Sequence, residues 1–327
     1  MRLTFVNVGY GEAMVLECPD PARQKGQFVM VIDGGGSEPS EFADRSSGRV
    51  PMAEYLAGRN LDHIDVMVST HIHEDHICGL LPLLERWTPG ELWQSLPAGF
   101  YRLTRPLDVP ENVTSSQSKF LRALNDYRRL CALMEERGSV IRTITAPLRE
   151  SLCQDLTVQV LAPSVTQAQE LQDSLSEVYA AEGDTFWTRL NQMDARMNNF
   201  SLILRLDYGQ TRLLLPGDTN CLGYDGIAEE ELRAHLFKVG HHGQRDGAKA
   251  QQLRAIAPTA VVCCASSDRR YNSADPGVLT MAAEGGARLY FSDCPPVPGE
   301  SRPLPPHQAL EFTVYQDGMV EGRYLPL

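Results

Sequence analysis

Thr70-His71-Ile72-His73-Glu74-Asp75-His76 supplies three imidazoles and two carboxylates within six positions, directly after the compact apolar, β-branched run Ile64 to Ser69. That run has the pattern of a buried strand. His71 and His73 are two apart, so they cannot share a helical face and must sit on extended or loop backbone. Asp75 and His76 are adjacent and point differently, which suits ligation of two metals rather than one. Imidazole and carboxylate together are donor chemistry for Zn²⁺, Mn²⁺ or Fe²⁺. Apolar residues on both sides put the motif at a strand-to-helix junction, where sites in α/β folds form. The alternative is an exposed His-rich loop with no role.

Working outward, three more apolar strands finish in residues of the same chemistry. Leu213-Leu214-Leu215-Pro216-Gly217-Asp218 ends in an acid, and Leu236-Phe237-Lys238-Val239-Gly240-His241-His242-Gly243 ends in paired histidines. Phe28 to Ile32 stops at Asp33-Gly34-Gly35-Gly36. One aspartate after a strand is usually a turn or cap residue. Several strand ends converging on metal-ligand chemistry are harder to dismiss.

The remaining pattern is that of an α/β fold. Strands are expected at Leu3 to Val8, Ala13 to Cys18, Leu152 to Leu161, Phe200 to Leu206, Thr211 to Leu215, Ala260 to Cys264, Arg288 to Phe291 and Leu310 to Tyr315. Helices are expected at Met52 to Arg59, Ile77 to Trp87, Ser118 to Glu136 and Val165 to Ala181. No Pro-, Gly- or Ser-rich linker divides these parts. Residues 1–327 therefore read as one domain, with residues 95–197 as a partly helical insertion.

Composition sets limits. With 327 residues and 43% apolar content, the chain can bury a large core without disulfides. Its eight cysteines form no CxxC pair, which points to reduced, mostly buried thiols in a cytoplasmic protein. No apolar run is long enough to span a bilayer, and the first residues lack a signal-peptide pattern. No membrane partner is therefore expected, and the oligomeric state stays open. The formal net charge of −12 disfavours broad non-specific binding to nucleic acid. Two divalent cations would nevertheless leave the centre itself positive.

The order Asp33-Gly34-Gly35, HIHEDH, Gly217-Asp218 and His241-His242-Gly243 resembles the metallo-β-lactamase superfamily. More narrowly, it is similar to the soluble hydrolase domain attached to ComEC/Rec2 DNA-uptake proteins and to its free-standing relatives. Phe5-Val6-Asn7-Val8-Gly9-Tyr10-Gly11-Glu12-Ala13 and Asn198-Asn199-Phe200-Ser201 carry the likeness further; it breaks across residues 95–197. The resemblance implies a four-layer αββα sandwich, an enzyme using a two-metal-activated water, and two divalent ions, Zn or Mn. It implies His71, His73 and Asp218 at one metal, with Asn198 nearby, and Asp75, His76, Asp218 and His242 at the other. Asp218 would bridge. His242 is favoured over His241 as the ligand, leaving His241 to face substrate. Asp75, His241 and Asp33 are the candidate catalytic groups. Asp33 either orients a ligand histidine or simply begins a glycine turn.

Several positions depart from the family pattern. Asn198-Asn199 stand where many members have a histidine ligand. Tyr10 and Glu12 replace the usual Gln and Asp, Cys78 replaces a common Gly, and Asp275 replaces a frequent His before Pro276. Cys78 reads as a small buried residue rather than an extra soft ligand.

Phosphodiesters, whether nucleic acid or nucleotide, are the substrate class the resemblance favours. Hydrolysis of ester, amide or thioester bonds in a small molecule is the alternative, and a non-catalytic metal-binding sensor or partner-binding module is a second. One independent feature bears on this. Lys119, Arg122, Arg128, Arg129, Arg137, Arg142 and Arg149 gather in the insertion of an otherwise acidic chain. Arg122, Arg128 and Arg129 could guide a nucleic acid to the metals, or form a solvated helix face.

Overall fold

The structure, a computed structural model, describes residues 1–295 and 304–327. Its strands are β1 (Arg2–Val6), β2 (Ala13–Pro19), β3 (Gln27–Gly34), β4 (Val66–Val68), β5 (Glu91–Gln94), β6 (Val140–Thr143), β7 (Leu148–Cys153), β8 (Leu156–Ala162), β9 (Ile203–Tyr208), β10 (Thr211–Leu215), β11 (Leu236–Lys238), β12 (Ala260–Cys263), β13 (Arg288–Phe291), β14 (Ala309–Val314) and β15 (Val320–Leu325). They form two sheets, ordered β15-β14-β1-β2-β3-β4-β5-β6 and β13-β12-β11-β10-β9-β8-β7.

Three apolar layers hold the sheets and helices together. Side chains alternate along each strand, so β3 sends Met30 and Ile32 to one face and Val29 and Val31 to the other. Met30 and Ile32 meet Leu204, Leu213, Leu215 and Val262 of the second sheet between the two sheets. Val29 and Val31 meet the helices Met52–Gly58, Ser115–Glu136 and Val165–Ala180. Leu214, Phe237 and Val261 face outward from the second sheet onto helices Ala250–Ile256 and Pro276–Glu284. The result is the expected four-layer αββα sandwich. Strands such as β10 are apolar on both faces because both faces are covered.

The central strands place the site. β3 and β4 are parallel neighbours in one sheet, and β10 and β11 are parallel neighbours in the other. Their C-terminal ends carry Asp33, the HIHEDH run, Asp218 and His241-His242 to one edge, where ligand sites form in such sheets.

Two expected elements take a different form. Ile77 to Trp87 is a 3₁₀ run over Cys78–Glu85 rather than an α-helix. Pro82 inside it has no N–H to donate, and Gly79 is pressed against β3, where an added Cβ would lie 1.9 Å from the Gly34 carbonyl oxygen. Leu152 to Leu161 is not one strand but the hairpin β7–β8, turned at Asp155 with φ of 65°. Residues 95–197 are also woven into the sheets: β6 extends the first and β7 and β8 the second. Their helical parts are Ser115–Glu136, Val165–Ala180 and Gly183–Asp194. The first two begin in capping boxes, Thr114 with Gln117 and Ser164 with Gln167. Among the described residues no helix is long and apolar enough to cross a membrane.

Candidate metal centre

Asp75, His76, Asp218 and His242 converge so that one ligand atom from each lies within 4.8 Å of the others. His76 Nε2 is 3.4 Å from His242 Nε2 and 3.2 Å from Asp218 Oδ2. His242 Nε2 is 2.7 Å from Asp218 Oδ2 and 3.0 Å from Asp75 Oδ2. A tetrahedral site with bonds of about 2.0–2.1 Å spaces its ligand atoms roughly 3.3 Å apart, so this N₂O₂ set fits a divalent cation such as Zn²⁺.

The imidazoles are aimed by what holds their other nitrogens. His76 Nδ1 donates to Asp33 Oδ2 at 2.8 Å, which turns Nε2 toward the cluster. Asp33 is itself fixed, accepting from the Thr70 amide at 2.8 Å and the Thr70 hydroxyl at 2.6 Å. His242 Nδ1 donates to the Cys264 carbonyl at 2.9 Å. Because the Thr70 hydroxyl spends its proton on Asp33, its oxygen is free to accept from His71 Nδ1, 3.1 Å away. His71 Nε2 then faces His73 Nδ1 at 3.1 Å, again the spacing of two ligands on one ion. These are carboxylate– and carbonyl–imidazole arrangements of the kind that orient metal ligands.

Electrostatics matches this arrangement. Burial opposes charge on Asp218, yet His242, Lys238 and His76 hold its carboxyl well below the usual range. Burial likewise works against Asp75, and hydrogen bonding to His242 keeps it low. Burial would lower His242, but Asp218 and Asp75 push it up to about 9. His71 goes the other way: burial and the neighbouring His76 and His73 hold it well below its ordinary value.

His241 does not join the donors. Its Nδ1 lies 2.8 Å from Asp246 Oδ1, and the ring lines the pocket instead. Both His241 and His242 take left-handed φ, 46° and 51°, and this kink drives only His242 inward. Asn198 lines the same pocket, with a buried Oδ1 that lacks a hydrogen-bond partner among the described residues, but it is outside the converging four. Cys78 is buried under helix Ser115–Glu136 and away from the cluster. Asp275 caps the helix Pro276–Glu284, accepting from the Gly277 and Val278 amides.

Lys238, within the same apolar run as His242, does not line the pocket. It is fully buried, donates to the Gly217 carbonyl at 2.8 Å and to Asp218 Oδ1 at 3.0 Å, and pairs with buried Glu12. An apolar strand cannot leave an ammonium unpaired in the core, and the Glu12–Lys238 pair holds Asp218 from behind. The Glu12 backbone also reaches the site, since its amide donates to the Asp75 carbonyl at 3.1 Å. Gly11 permits that approach: its φ is +133°, and a Cβ there would lie 2.5 Å from the same oxygen.

The pocket in front of the cluster has a volume of about 320 Å³. Tyr10, His73, Lys119, Asp194, His241 and Tyr271 are among its walls. The seven basic residues of the insertion do not gather into one free patch. Arg122 pairs with Glu38, Arg142 with Glu91 and Glu150, and Arg137 donates to the Leu84 and Trp87 carbonyls. Arg128 lies against the Thr104 carbonyl, and Arg129 is exposed. Of the seven, Lys119 alone lines the pocket.

The model of the metallo-beta-lactamase superfamily matches residues 22–120. The sandwich and the ordered motifs agree with that match, which covers less than half of the chain. The chain is similar to ComE operon protein 3 of Bacillus subtilis (strain 168), with 23% identity over 303 residues, 89% of this chain and 32% of the relative. It thus spans about a third of that curated relative's length. Among solved structures it is similar to Zn²⁺-bound PqqB from Methylobacterium extorquens, at 11% identity and a TM-score of 0.46, covering 90% of this chain and 98% of that one. A diphosphatase from the PhnP family matches at 12% identity and a TM-score of 0.38, covering 100% of this chain and 99% of that one.

Proposed function

We propose that the chain hydrolyses phosphodiester bonds at two divalent ions, Zn²⁺ or Mn²⁺. In this reading His71 and His73 hold the first ion, Asp75, His76 and His242 hold the second, and Asp218 is shared. The observation that carries it is the convergence of Asp75, His76, Asp218 and His242 with each buried imidazole aimed by a fixed partner. Divalent ions bound there would acidify water toward a pKa of ~7 and stabilise charge developing on a phosphoryl oxygen.

The chain's own part is positioning. Asp33 keeps His76 in one tautomer, Thr70 does the same for His71, and Lys238 with Glu12 fixes Asp218. An anionic diester entering the pocket meets Lys119, whose Nζ is held 3.7 Å from Glu74, and His241 on its Asp246 tether. Tyr10 and Tyr271, with ring centroids 5.2 Å apart, offer a face on which a nucleobase can stack. Arg122, Arg128 and Arg129 lie on the helix that carries Lys119 and would extend the contact to a longer nucleic acid.

The test is turnover of bis(p-nitrophenyl) phosphate, a p-nitrophenyl ester and a thioester with Mn²⁺ or Zn²⁺. The expected result is diester turnover that disappears in His73→Ala and Asp75→Ala while circular dichroism is unchanged. Ester or thioester turnover alone would replace the substrate class. Stoichiometric metal binding with no turnover on any of the three would favour a sensor.

A further inference from the structure

Asp194 ends helix Gly183–Asp194 in the stretch that breaks the family pattern, and its side chain points at the metal centre. Its Oδ1 lies 3.3 Å from His73 Nε2. That nitrogen is buried, and no other group among the described residues offers it a hydrogen bond. The other ring nitrogen, Nδ1, is the one that faces His71 Nε2. Asp194 Oδ2 is anchored separately, accepting from the Ser116 hydroxyl at 2.5 Å in the first turn of helix Ser115–Glu136. One turn later on that helix, Phe120 meets the His73 ring edge-on, with centroids 5.8 Å apart and planes at 72°.

We propose that Asp194 is a positioning residue for the first metal: it holds the proton on His73 Nε2 and so presents Nδ1, beside His71 Nε2, as the ligand atom. The arrangement is the counterpart on His73 of Asp33 on His76, at 3.3 Å against 2.8 Å and with the two ring nitrogens exchanged. A charged carboxylate behind an imidazole fixes the tautomer and raises ligand basicity. The first site needs such help, because Asn198-Asn199 offers it no histidine. The inserted helices are then part of the metal centre and not only a wall of the substrate pocket.

This inference rests on the two-metal reading and is separable from it. Mn²⁺ and Zn²⁺ are titrated calorimetrically into the metal-stripped chain and into Asp194→Ala, Asp194→Asn and Asp33→Ala, with melting in EDTA as a control for fold. Asp194→Ala is expected to weaken one equivalent by roughly 10–100-fold and leave the other unchanged. Asp33→Ala should weaken chiefly the opposite equivalent, through His76, and the first one less, through Thr70 and His71. Asp194→Asn keeps an acceptor oxygen without the charge and should recover part of the loss, and both Asp194 variants should melt in EDTA like the parent, whereas Asp33→Ala, which strands three buried donors, should melt lower. Unchanged affinity for every equivalent in Asp194→Ala overturns the inference while leaving the metal centre standing. Equal weakening of both equivalents together with a lower melting temperature in EDTA overturns it too, since that marks a purely structural residue. A parent chain that takes up no metal overturns the two-metal reading itself.

Discussion

Replacing Lys238 by Met tests whether the cluster is supported from behind by a buried charge pair. In the parent, the ammonium is fully buried between Glu12 and Asp218, which are themselves buried. Methionine conserves much of the volume, so the loss is electrostatic: two carboxylates remain in the core without their cation. Removing one partner of a buried pair costs about 3–5 kcal/mol. At about 2.1 cal/mol/K per residue, the unfolding entropy of 327 residues is roughly 0.7 kcal/mol/K, so the melting temperature should fall by about 4–7 °C. The reference is the metal-stripped chain, because bound cations would partly replace the missing ammonium. Glu12→Gln/Lys238→Met removes the second charge as well and should recover much of the loss, since Asp218 keeps His242 and His76 as partners. Urea titrations at pH 7 of the parent, both single variants and the double variant give the coupling energy. A single-variant loss below about 1 kcal/mol, or a coupling near zero, would refute the supporting role of Lys238.

Two further outcomes are expected. Since Asp218 and Asp75 push His242 up to about 9, above its unfolded value near 6.5, its charged form stabilises the metal-free fold fully below pH 6.5. That stability is lost as the pH rises to about 9, so melting in EDTA should decline over this window. It should decline less in His242→Ala, where His76, which burial would lower but Asp218 and Asp33 hold above its ordinary value, keeps a share of the effect. Charge reversal at Arg122, Arg128 and Arg129 should raise KM for a long polyanion and spare a small chromogenic diester. The change in salt slope should stay under about three units, because Arg122 is already paired with Glu38; equal loss on both substrates would make the segment structural.

The central strands were legible because burial on both faces imposes a signal that sequence carries directly. Val29 to Ile32, Val66 to Val68, Leu213 to Leu215 and Val261 to Cys263 are continuous apolar runs, and each ends where the fold places a donor or its support. Edge elements carry no such signal. β6 shows an exposed Val140 and half-buried Ile141 and Arg142, and β15 alternates Val320, Gly322 and Tyr324 with charged residues. Their membership is decided by tertiary pairing with β5 and β14. That is why residues 95–197 read as an interruption although they supply β6, β7 and β8 to the sheets.

The same contrast divides the site. His76, Asp75, Asp218 and His242 announce themselves by residue type at strand ends, and spacing alone separates Asp75 from its neighbours. Glu12, Lys238 and Asp194 act through other side chains, and nothing in their local sequence distinguishes Glu12 from a turn residue or Asp194 from a helix-end acid. Lys238 carried one faint signal: it lies two residues into the apolar run Leu236 to Val239, where a lysine must be buried with a partner or break the strand. Asp194 carried none, because the contact that gives it meaning spans more than a hundred residues to His73. A ligand is specified by its own chemistry, whereas a positioning group is specified by the fold that brings it there. The insertion, least legible in sequence, accordingly holds the group whose role could be read only once the two sheets had set Asp194 and His73 side by side.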